Sequence, residues 1–109
     1  MLVNSDTLKT LEETVGQETV QELVDLYVDT SPEVIAQLET FADEKNSQQM
    51  AFWSHRLKGS SGTLGFDDIH ELSKNIEKLC LENKVDEAAA LCTKVRPLYQ
   101  QTEQAIKNL

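Results

Sequence analysis

The sequence predicts an all-α protein, an antiparallel up-and-down four-helix bundle with short N-terminal helices covering one end. Three observations carry this expectation. Apolar residues recur at three- and four-residue spacing in successive runs. No run alternates apolar and polar residues between turn signals, as a half-buried strand would. The breaks between the later runs are only a few residues long, which favours antiparallel neighbours. With 109 residues the chain can bury one core, and it reads as a single domain over 1–109.

The elements follow in order. Asp6 suits the N-cap of a short first helix with Leu8, Leu11 and Val15 on one face, and Gly16 is a good stop. The next apolar run is in near-continuous helical phase from Val20 to Phe41 but is interrupted by Pro32. Thr30 or Ser31 can cap a new helix with Pro32 in its first turn, so the expectation is two helices, 17–29 and 32–45, with one kinked helix as the alternative. Lys45-Asn46-Ser47 is the next turn, with Ser47 as cap for a helix over 48–63. Asp67 then caps a helix that turns Ile69, Leu72, Ile76, Leu79 and Cys80 inward and ends near Asn83. Its acids at 67 and 68 suit the positive end of the helix dipole. Asp86 caps the last helix, whose stripe is Leu91, Cys92, Val95, Leu98 and Ile106, with Pro97 expected to kink it.

The helix over 48–63 carries the residues with chemistry. At about 100° per residue, Met50, Trp53, Leu57, Ser61 and Leu64 form its core stripe. His55 then points outward, with Gly59 and Gly62 beside it and Lys58 one turn away. Each helical glycine costs about 1 kcal/mol relative to alanine, and close approach by another molecule is a physical reason to accept that cost. An unshielded imidazole near a cation suits a nucleophile that takes up an anionic group, and phosphoryl fits best. Phe52 falls on the exposed side one turn before His55, where it could dock a partner, and Arg56 adds a charge at the rim. His70 reads as an ordinary helix-flank residue.

The stretch His55-Arg56-Leu57-Lys58-Gly59-Ser60-Ser61, continued by Gly65 and Phe66, resembles the histidine-containing phosphotransfer (HPt) domains of bacterial multistep phosphorelays. Their pattern is His-x-x-Lys-Gly, small residues, then Gly and an apolar residue opening the next helix. Gly62-Thr63, Glu71 and Glu77 extend the similarity to the phosphotransfer domain of chemotaxis kinases. The sequence departs from that subfamily at Lys74, where those domains have a second histidine. The resemblance implies that His55 accepts the phosphoryl group and that Lys58 stabilises it. It matches Glu77 to a glutamate that accepts a hydrogen bond from the phosphorylated histidine. The wheel positions put Phe52, Arg56, Gly59 and Gly62 at the face a partner would meet. The implied function is relay of phosphoryl between aspartates of response-regulator receiver domains, fed by a hybrid sensor histidine kinase. A helical adaptor without chemistry at His55 is the alternative.

Ten basic against nineteen acidic residues give a net charge of −9, which argues against nucleic acid and anionic membrane as partners. No apolar run approaches the roughly 20 residues of a membrane span, and no signal-peptide pattern opens the chain. A cytoplasmic monomer is expected, and the initial Met with the compact length points to a stand-alone carrier. Cys80 and Cys92 fall on apolar stripes as reduced core residues, and neither they nor the two histidines have zinc-ligand spacing, so no metal site is expected. With no P-loop and no carboxylate cluster for magnesium, the chain reads as a carrier without kinase activity. It needs no cofactor of its own, Mg²⁺ being expected on the receiver.

Overall fold

The computed structural model describes residues 1–109 as six α-helices and no strand: α1 (Ser5–Val15), α2 (Gln17–Asp43), α3 (Ser47–Leu64), α4 (Asp67–Leu81), α5 (Val85–Cys92) and α6 (Val95–Lys107). They enclose one core of 20 buried apolar residues. Ile35, Leu38, Met50, Leu57, Phe66, Ile69, Ile76 and Val95 are fully enclosed in it. The molecule measures 40 × 21 × 20 Å. At about 1.5 Å per residue, the 27 residues of α2 run the whole long axis.

That length corrects the expectation of two short helices before and after Pro32. A proline inside a helix leaves the carbonyl four residues earlier without its N–H. Here the Val28 carbonyl accepts a hydrogen bond from the Tyr99 hydroxyl of α6 at 3.2 Å instead. The ring of Pro32 is exposed to solvent. Thr30 and Ser31 do not cap: Thr30 Oγ1 donates back to the Leu26 carbonyl and Ser31 is buried. The alternative of one helix through the proline is the observed one.

The last predicted helix is in fact two. The chain breaks at Thr93–Lys94 and restarts at Val95, which puts Pro97 in the first turn of α6. Amide donors there have no intrahelical partner, so the missing N–H costs nothing. Arg96 then reaches across to Glu39 of α2 with two hydrogen bonds, Nε at 2.8 Å and Nη2 at 2.7 Å.

The caps sit earlier than the sequence reading placed them. Asn4 rather than Asp6 caps α1, accepting from the Thr7 amide, and Asn46 rather than Ser47 caps α3, accepting from the Gln49 amide. Ser47 is freed to donate to the Cys80 carbonyl at the far end of α4. Asp67 and Asp86 are already inside their helices, and Asp86 pairs with Lys45 at 2.8 Å. Helices α2, α3 and α4 end alike. Lys45, Gly65 and Asn83 adopt positive φ, and the next amide returns to the carbonyl of Phe41, Ser61 or Leu79. This closure satisfies carbonyls that the helix end would otherwise orphan.

At the α3–α4 corner only glycine fits. A Cβ on Gly65 would lie 2.7 Å from Thr7 Cβ and 3.1 Å from the Asn4 carbonyl oxygen. The segment before α1 lies across this corner, with the Asn4 amide donating to the Gly65 carbonyl at 2.7 Å and Asn4 Nδ2 to Asp67 at 3.0 Å. Cys80 and Cys92 are buried free thiols. Burial pushes the Cys92 thiol up to about 12, so it stays protonated in its place 3.9 Å from the Met50 sulfur.

Candidate functional site

Helix α3 buries Met50, Ser54, Leu57, Ser61 and Leu64. Ser54, not Trp53, completes the stripe at four-, three-, four- and three-residue intervals. Trp53 is half-buried at its edge, with the Arg56 guanidinium 5.1 Å over its ring and the exposed Phe52 ring set edge-on at 5.1 Å. Ser61 is small for a core reason: its hydroxyl meets the Tyr27 hydroxyl at 2.9 Å, where both are buried. With these residues inward, His55 faces solvent, its side chain 66% exposed.

The neighbouring helix supplies what α3 lacks. Glu77 of α4 bridges the two polar residues of the site, Oε2 lying 2.7 Å from His55 Nδ1 and Oε1 accepting from Lys58 Nζ at 2.6 Å. Burial alone would raise the Glu77 carboxyl. Hydrogen bonds from Lys58 and His55 outweigh it and hold the group below the usual carboxylate range. The carboxylate is therefore ionised near neutral pH and can only accept. That fixes the tautomer of the neutral His55 ring: Nδ1 carries the proton, which leaves the lone pair on Nε2. The bridge also gives Lys58 a partner within the fold, on a neighbouring helix that its spacing from His55 does not reveal.

The two glycines separate. A Cβ on Gly59 would meet nothing within 4 Å, so the surface beside His55 is open there. On Gly62 it would lie 2.7 Å from His70 Nδ1 and 3.0 Å from Cε1. Gly62 has a packing reason to be small, because α4 lays an imidazole against it. His70 is thus more than a flank residue. Its Nδ1 is 2.9 Å from the Lys58 carbonyl oxygen, an acceptor only, so it donates and ties α4 to the turn carrying Lys58. Sequence spacing could not show this, because the contact crosses between helices.

The site helix differs electrically from the rest of the molecule. α3 carries Arg56 and Lys58 and no acidic residue, whereas every other helix carries at least one acid. In a chain of net charge −9, the surface of α3 itself therefore adds no like charge against an approaching anionic group. No cluster of three or more His, Cys, Asp or Glu side chains is arranged to hold a metal, and no helix is long and apolar enough to cross a membrane.

Comparison with known proteins agrees with this architecture. Among solved structures, the chain is similar to the crystal structure of histidine-containing phosphotransfer protein B (HptB) from Pseudomonas aeruginosa PAO1. The TM-score is 0.88 at 20% identity, over 98% of this chain and 92% of that chain. No curated protein sequence matches. The Hpt domain family model matches residues 22–107, from the first turns of α2 to the end of α6. The chain therefore belongs to the Hpt domain family.

Proposed function

We propose that His55 is the residue through which this chain carries out histidine phosphotransfer, the activity of its family in phosphorelays. The observation that supports this most directly is the exposed imidazole held at Nδ1 by Glu77 at 2.7 Å, an arrangement that in the neutral ring puts the lone pair on the outer nitrogen, Nε2. The Nε2 lone pair attacks the phosphorus of an aspartyl phosphate on a receiver domain. The P–O bond breaks and the aspartate leaves as a carboxylate with the electron pair. No proton moves, since Nδ1 keeps its hydrogen, and the ring becomes a phosphorylated imidazolium. Glu77 faces that new positive charge at hydrogen-bond distance and stabilises it. Return to a second receiver aspartate is the same step reversed.

The role read here for Lys58 is twofold, holding Glu77 in place and presenting positive charge toward the phosphoryl oxygens. Phe52, Arg56 and Gly59 form the face a receiver meets, with Gly59 leaving room beside the imidazole. The receiver brings the Mg²⁺ that neutralises the transferred group. With no P-loop in the sequence, the chain acts as a carrier and not as an ATP-dependent kinase, and the expected donor is the receiver of a hybrid kinase. The scaffold reads as an antiparallel up-and-down bundle of α2, α3, α4 and the α5–α6 pair, with α1 across one end. A cytoplasmic, monomeric, single domain fits this role. The test is incubation with phosphorylated receiver domains. Wild type should gain an acid-labile, base-stable label and His55→Gln should gain none, and label persisting on that variant would overturn the assignment.

A further inference from the structure

We infer that Lys74 of α4 is a phosphoryl-binding residue, a second cation beside Lys58 that reaches the oxygens of the group once His55 carries it. This rests on His55 being the acceptor. Helices α3 and α4 form the most extensive contact in the molecule, and two points fix how they face each other. Glu77 reaches His55 and Lys58, and His70 reaches the Lys58 carbonyl and lies against Gly62. Lys74 lies between these points, four residues after His70 and three before Glu77. On a helical wheel it sits about 40° from His70 and about 60° from Glu77. That rotation is away from the buried side marked by Ile69, Ser73, Ile76 and Cys80. Lys74 therefore stands on the solvent-facing lip of the same groove that His55 overhangs from α3.

Availability separates Lys74 from Lys58. The Lys58 ammonium is bound to Glu77 at 2.6 Å, and leaving it would give up that contact with a mostly buried carboxylate. Lys74 is exposed and takes part in none of the ion pairs of the fold. A phosphoryl group on Nε2 projects from the imidazole on the side away from Glu77, toward solvent, with two negative charges near neutral pH. A long, unpaired, flexible ammonium on the facing lip can reach such a group without breaking any contact of the resting state.

The experiment avoids receivers, so that docking plays no part. The protein is phosphorylated with phosphoramidate, a small-molecule donor, and the ³¹P signal of the product is followed against pH. Wild type and Lys74→Gln should both be labelled, and His55→Gln should not. Label on His55→Gln would instead show that the underlying assignment of His55 is wrong. A cation beside the phosphoryl group favours its dianion. The affinity of the phosphoryl group for its last proton should therefore rise about threefold in Lys74→Gln, a shift of the titration midpoint by about half a pH unit. Lys107→Gln, on α6, should leave the midpoint unchanged. A midpoint in Lys74→Gln equal to that of wild type, with His55 labelled, would overturn the inference.

Discussion

Replacing Glu77 by Gln removes one charge and little else, which isolates the part the structure gives this carboxylate. An amide oxygen can still accept the proton on His55 Nδ1, so the tautomer with Nε2 free survives. What is lost is the negative charge 2.7 Å from a ring that becomes cationic on phosphorylation. A charge-assisted hydrogen bond is roughly twice as strong as a neutral one, a difference of about 1 kcal/mol. The exposed imidazole keeps the effect near that figure and not above it. Phosphorylation of His55 by phosphoramidate should therefore slow about fivefold. The folded state also loses the ion pair with Lys58, whose side chains are 27% and 17% exposed, at a cost of up to about 1 kcal/mol. The assay is a time course of phosphohistidine formation at low and high salt, beside a thermal melt of each protein. A Glu77→Gln rate equal to wild type at low salt would refute the reasoning, because the carboxylate would then be stabilising nothing that forms during the reaction.

Four further outcomes follow from particular contacts. Tyr99→Phe leaves the Val28 carbonyl without a partner and should destabilise by about 1–2 kcal/mol. In a Pro32→Ala background, where residue 32 regains its N–H, the same change should cost clearly less, as a double-mutant cycle of denaturant melts can measure. Gly59→Ala should stabilise by roughly 0.5–1 kcal/mol through helix propensity, whereas Gly62→Ala should destabilise, since its methyl would displace the His70 ring from the Lys58 carbonyl. Gly59→Glu should fold normally yet slow transfer with a receiver through bulk and like charge, as measured by transfer time courses. Glu39, beside Arg96, and Glu77 are both held below their ordinary value of 4.5. They add stability that is present above that pH and is lost as pH falls through their folded values, so Arg96→Met should flatten the acid limb of a stability–pH profile.

How much of this was legible in the sequence depended on whether the deciding contact was local. Helices α3 and α4 were readable almost to the residue, because their apolar stripes and the Gly65 corner are written in short-range spacing. The outward direction of His55 came from the same periodicity. The continuity of α2 through Pro32 was not decidable, since the donor that replaces the missing N–H is Tyr99, 71 positions away from Val28. The break before α6 was missed because an apolar stripe continues in phase across it. Gly62 looked like Gly59 on a helical wheel, and only the His70 ring of the adjacent helix tells them apart. Hydrophobicity alone puts Trp53 on the core stripe of α3, yet the small Ser54 is what the closely packed face admits.

In the phosphorylated protein, phosphoryl is expected on Nε2 of His55 while Nδ1 stays protonated and bound to Glu77. The measurement that tests it most directly is a ¹H–¹⁵N spectrum of the histidine rings in the phosphorylated, ¹⁵N-labelled protein. The expected result is phosphorus coupling on the His55 Nε2 resonance, an attached proton on His55 Nδ1, and a His70 ring without phosphorus coupling. Phosphorus on His55 Nδ1, or on either nitrogen of His70, would contradict it.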